Sequence, residues 1–83
     1  MKVLKVKQGE IVAKRQDKVM EWYLIQEGAV IRQFAFAEIE MKRNSIIGIL
    51  ENEWFACDYV AKEDTALIVI PCKNAVDLHR ILS

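Results

Sequence analysis

The chain is poor in the residues on which several kinds of chemistry depend. It has one histidine, His79, and two cysteines, Cys57 and Cys72, in 83 residues. Transition-metal sites need several nitrogen, sulfur or carboxylate ligands converging, and a single histidine cannot supply that set. Two cysteines do not make a disulfide framework, so both are expected as reduced thiols in small core or half-buried positions. Charge of one sign is also missing: 12 basic and 12 acidic residues cancel. Nucleic-acid binding draws on a basic excess against phosphates, which excludes that partner class for this chain. Proline (one) and glycine (three) are too scarce for a disordered or low-complexity segment. No apolar run approaches the ~20 residues that span a bilayer. Lysines recur through Met1-Lys2-Val3-Leu4-Lys5-Val6-Lys7, where a signal peptide needs an apolar stretch. The expected compartment is the cytoplasm.

What is present is 53% apolar residues, enough for a folded core. The length supports one domain, residues 1–83, burying about 60–65% of the surface its unfolded chain exposes. Val3-Leu4-Lys5-Val6 reads as a first strand, Gln8-Gly9 as a turn, and Glu10 to Ala13 as extended chain. Lys14 to Lys18 is a polar loop. From Met20 to Gln26 apolar residues fall on both parities, the pattern of a strand covered on both sides. Glu27-Gly28 supplies a tight turn. Ala29 to Phe36 returns as a partner strand, with Val30, Phe34 and Phe36 on one face and Arg32 among them.

Ala37 to Met41 is a further strand of mixed polarity, and Lys42 to Ser45 a turn. Ile46 to Leu50 is apolar and broken by Gly48, and Glu51-Asn52-Glu53 is a polar tip. Trp54 to Val60 and Ala66 to Ile70 read as the last strands. Pro71 sits where a helix can begin. Ala75, Leu78, Ile81 and Leu82 then form an apolar stripe at helical spacing. Many short strands with one late helix imply an all-β roll or barrel capped by a helix, or else a small sandwich.

Three runs carry a resemblance. They are Gly9-Glu10-Ile11-Val12 through Trp22 to Val30, then Asn44-Ser45-Ile46-Ile47-Gly48, then Val60-Ala61-Lys62-Glu63-Asp64-Thr65-Ala66-Leu67. In this order they resemble the cyclic nucleotide-binding domain family. The resemblance implies an all-β, double-stranded β-helix, that is a cupin-like, jelly-roll β-roll, with a short C-terminal α-helix that begins a helical appendage. In members that bind ligand, a glycine opens the phosphate cassette, a glutamate after it meets the ribose, and a later arginine pairs with the cyclic phosphate. Gly48 fits that glycine, but Ile49 stands in the glutamate position and Phe55, or a close neighbour, in the arginine position.

Losing both contacts costs about 3–6 kcal/mol, roughly two to four decades of affinity. Glu51, Glu53 and Asp58 are expected to repel a phosphate further, and Lys42 and Arg43, just upstream, are the candidates to replace the arginine from another direction.

No motif with a catalytic mechanism is present. Cys57 with His79 lacks a local cue that lowers the thiol pKa, and the carboxylates show no signature spacing. The expectation is a noncatalytic regulatory or interaction module without cofactor or metal. It is expected to pack against a protein partner or a second copy, as a homodimer, through the terminal helix and Trp54-Phe55. The alternative is a small-ligand sensor, holding a noncanonical nucleotide or a metabolite among Val30, Ile46, Ile47, Gly48, Ile49 and Phe55.

Overall fold

In the computed structural model, residues 2–71 are described; the expected terminal helix, Cys72 and His79 lie outside them. Eight strands form two four-stranded antiparallel sheets. They are β1 (Lys2–Val6), β2 (Ile11–Ala13), β3 (Glu21–Glu27), β4 (Val30–Gln33), β5 (Glu38–Met41), β6 (Ile46–Ile47), β7 (Asp58–Ala61) and β8 (Thr65–Pro71). One sheet runs β1-β8-β3-β6 and the other β2-β7-β4-β5. Consecutive strands alternate between sheets at most steps, which is the jelly-roll order. No helix is present among the described residues, and so none there is long and apolar enough to cross a membrane.

Position in the sheet explains strand composition. β8, Thr-Ala-Leu-Ile-Val-Ile-Pro, lies between β1 and β3 and is rich in β-branched residues, with Leu67 fully buried. The edge strands are short or charged. β6 has two residues, β5 alternates Glu38 and Glu40 with apolar side chains, and β1 carries Lys2 and Lys5. Such edges discourage pairing with another chain. The core between the sheets holds Val6, Val19, Trp22, Ile25, Val30, Ile47, Phe55, Cys57, Tyr59 and Leu67.

Several sequence expectations are corrected. The strand expected from Ala29 to Phe36 stops at Gln33, where the Phe34 N–H turns back to the Ala37 carbonyl (2.8 Å). Phe36 is thereby left fully exposed. The strand expected from Trp54 begins only at Asp58, because the preceding backbone pairs with the 14–18 loop instead. Phe55 N–H donates to the Asp17 carbonyl (2.9 Å), and Gln16 N–H to the Phe55 carbonyl (2.8 Å). Pro71 is the last described residue of β8 and lies opposite Glu21; the helix expected after it falls outside the described residues. The described β1 pairing reaches only Val69, so no β1 carbonyl there needs an N–H from residue 71.

Candidate ligand site

The turn after β6 builds the site. Gly48 has φ +106, a conformation L side chains rarely adopt, and a Cβ there would lie 2.8 Å from Trp22 Cδ1. Its carbonyl accepts the Glu51 N–H (3.1 Å), which turns the Glu51 side chain inward. Glu51 was expected on a polar tip; its side chain is 3% exposed. A buried carboxylate needs partners, and three segments supply them.

Arg32, on β4, points its Nη2 at Glu51 Oε1 (3.3 Å) and its Nε at the Tyr59 hydroxyl (3.2 Å). Tyr59, on β7, donates its hydroxyl to Glu51 Oε1 (2.8 Å). The Ala56 N–H donates to Glu51 Oε2 (2.6 Å). Antiparallel pairing sets Arg32 directly opposite Tyr59, so the register of β4 and β7 holds the two donors together. The guanidinium lies 5.0 Å from the Phe34 ring centroid and 5.6 Å from that of Tyr59. Phe55 packs edge-on against Tyr59, centroids 5.6 Å apart. Aromatic walls thus enclose the ion pair.

Burial and the Glu51 carboxylate both push the Tyr59 hydroxyl well above its ordinary 10.0, so it stays a donor into alkaline solution. Burial raises the Cys57 thiol too, against the opposing pull of Arg32. A thiol held protonated is a poor nucleophile.

Of the sequence-named residues, Val30 and Ile47 are fully buried, Phe55 is buried, and Ile46 and Ile49 pack against the same core. The structure thus brings Val30, Ile47 and Phe55 together as packing within the core. Phe55 is buried while its neighbour Trp54 is exposed, bridging to Lys18. Lys42 Nζ lies 3.6 Å from Glu40 at the surface, and Arg43 lines a cavity with Val3, Lys5, Gln26, Glu27 and Ala66. Asp58 accepts the Arg15 N–H (2.8 Å). Among the described residues no group of three or more His, Cys, Asp or Glu side chains could hold a metal.

Sequence reasoning missed Arg32, Glu51 and Tyr59 as a unit. One signal was there: Arg32 shares strand parity with Val30 and Phe34, and an arginine on an inward face requires a buried partner.

The same roll recurs among solved structures. The regulatory subunit of a cAMP-independent protein kinase A from Trypanosoma brucei matches with a TM-score of 0.79 at 17% identity, over 99% of this chain and 35% of that one. The cAMP-bound form of the EAL enzyme Bd1971 gives 0.75 at 21%, over 99% and 24%. A transcriptional regulator from Thermotoga maritima gives 0.74 at 26%, over 98% and 74%. The chain spans 61% and 24% of the lengths of two of the solved chains it matches. No protein-family profile matches it. No curated protein matches it either. The fold is that of the cyclic nucleotide-binding β-roll.

Proposed function

We propose that this chain is a noncatalytic regulatory and interaction module, a single domain over residues 1–83, built on the cyclic nucleotide-binding roll. In this reading it does not hold cyclic AMP or cyclic GMP in the ordinary way. One observation carries it: the Arg32, Tyr59 and Ala56 donors are already engaged by the Glu51 carboxylate from the turn after Gly48. The resemblance places Ile49 and Phe55 where ligand-binding members have glutamate and arginine, and Phe55 is buried in the core. An entering cyclic phosphate has to displace a tethered anion and finds no second guanidinium offered from the cassette. Lys42 is engaged at the surface with Glu40, which argues against its serving as a substitute.

Regulation then works through contact with a protein partner or a second copy in the cytoplasm. Leu50, Trp54 and Phe36 are exposed apolar side chains suited to that role. Isothermal calorimetry of the 83-residue chain with cyclic AMP and cyclic GMP tests the first part. No saturable heat at micromolar protein is expected, and a micromolar dissociation constant for either overturns it. Size-exclusion with light scattering tests the second, and a strict monomer with no detectable partner counts against it.

A second reading is a small-ligand sensor using Val30, Ile46, Ile47, Gly48, Ile49 and Phe55. It draws on the buried indole N–H of Trp22, which has no hydrogen-bond partner among the described residues and faces Gly48. A metabolite panel in a thermal-shift assay separates the two readings, with a saturable shift favouring the sensor.

A further inference from the structure

We infer that Arg32, Tyr59 and the Ala56 N–H form a preorganised cradle for a small oxyanion, carboxylate or phosphate, which Glu51 occupies as a tethered ligand. The inference goes beyond the functional reading above and does not depend on it.

Donors and acceptor come from separate parts of the fold. Arg32 and Tyr59 face each other across the β4–β7 ladder, and Ala56 lies just before β7. The β4–β7 register fixes the backbone positions of Arg32 and Tyr59 independently of Glu51. The guanidinium is held additionally by its Nε bond to the Tyr59 hydroxyl (3.2 Å) and by the Phe34 ring (5.0 Å). The acceptor arrives from the turn between Gly48 and Trp54, whose Leu50 and Trp54 face solvent. Both carboxylate oxygens are used: Oε1 takes Arg32 and Tyr59, and Oε2 takes Ala56. That is the pattern of an anion bound by convergent charged and neutral donors, not of a surface ion pair.

A cavity lies beside one part of the cradle. Its volume is about 460 Å³, and it is lined by Arg15, Gln33, Phe34, Ala35, Ala56 and Asp58. Of its lining residues, Ala56 belongs to the cradle and Phe34 packs against the Arg32 guanidinium. Taking the Glu51 side chain away leaves a guanidinium, a hydroxyl and an amide facing the space its carboxylate vacates, which is the size of a small oxyanion. With Glu51 present, its tether gives it an effective concentration in the millimolar range or above, so free anions do not compete.

The test is thermal unfolding of the full 83-residue chain as wild type, Glu51→Ala and Glu51→Gln. Formate, acetate and inorganic phosphate are each compared with chloride at equal ionic strength. Phosphate stabilises folded proteins generally by exclusion from their surface, so the readout is each variant's shift minus that of wild type. Glu51→Ala is expected to gain about 5–10 °C over wild type from formate or acetate at ten times its dissociation constant. A larger gain from phosphate than from formate identifies phosphate as the preferred oxyanion, and the reverse identifies a carboxylate. Glu51→Gln keeps the cradle filled and is expected to gain nothing. Adding Arg32→Met to Glu51→Ala is expected to abolish the rescue.

Equal shifts for Glu51→Ala and wild type with every anion overturn the inference. So does a Glu51→Ala chain that stays unfolded in all three anions, because a cradle that accepts them restores the fold. Cyclic nucleotide binding by the wild type leaves this outcome untouched, and the two readings fail separately.

Discussion

Two corners of the roll bury a polar side chain beside a glycine, and they do it by opposite means. At the β3–β4 corner Gly28 has φ +94, and Thr65 packs against it. The Thr65 hydroxyl lies 3.1 Å from the Ala29 carbonyl and 2.8 Å from that of Glu63, and it accepts the Ala29 N–H (3.3 Å). Every partner is backbone, and no charge is involved. At the Gly48 corner Glu51 brings a full charge inside, and its partners are mostly side chains from other strands. A neutral hydroxyl satisfied by backbone is a fastener. A buried charge pair is no such fastener, since replacing both members by apolar residues is often neutral or stabilising while removing one alone is costly.

The strongest way to break that comparison is Glu51→Ala. It leaves Arg32 with no carboxylate in a site where its side chain is 14% exposed, and a loss of about 3–5 kcal/mol is expected by urea denaturation. A loss below the cost of an ordinary surface substitution counts against the cradle. Gly28→Ala attacks the other corner. Its Cβ would lie 2.6 Å from the Asp64 carbonyl oxygen and 2.5 Å from Thr65 Oγ1, and backbone cannot move aside cheaply. Strain at positive φ and overpacking together cost about 2–5 kcal/mol. Thr65→Val keeps shape and removes the hydroxyl, leaving the Ala29 N–H without that acceptor. About 1–3 kcal/mol is expected.

Alkaline titration sharpens the contrast further. Burial, with Glu21 beside it, pushes the Tyr23 hydroxyl up to about 12 from its ordinary 10.0. Tyr59 is raised as well, by burial and by Glu51. The folded state holds these protons more tightly than the unfolded chain does. The stability these two hydroxyls contribute is therefore full below pH 10 and is lost as pH rises from there through about 12 and beyond. Tyr23→Phe and Tyr59→Phe should each flatten that slope, as read from denaturant midpoints against pH. At the surface, Lys62 and Glu40 form an exposed pair that lowers the Glu40 carboxyl and raises the Lys62 ammonium. Lys62→Ala is expected to leave the midpoint unmoved, because solvent screens such pairs.

The first corner was legible in the sequence and the second was not, for a physical reason. Glu27-Gly28 between two apolar runs specifies a turn through glycine's own conformational freedom, a local property. Asp64-Thr65-Ala66 lies in the run that carried the fold resemblance. Glu51 reads as part of a polar tip because local composition is all that a window sees. Its inward direction follows from Gly48 and from an arginine 19 positions away, held opposite Tyr59 by strand register. Trp54 and Phe55 failed for a related reason: their backbone is drawn to residues 16–18, a long-range pairing that no period-two pattern encodes. Strands β1, β3 and β8 were found because composition and position agree there.

A double-mutant cycle on Arg32 and Glu51, using Arg32→Met and Glu51→Gln with unfolding free energies from urea, measures the buried pair itself. A coupling of about 1.5–3 kcal/mol is expected for a charge-assisted contact removed from solvent. A coupling no larger than that of an exposed ion pair, about 0.5 kcal/mol, would show that Glu51 is not held by Arg32 as a ligand is held by its site.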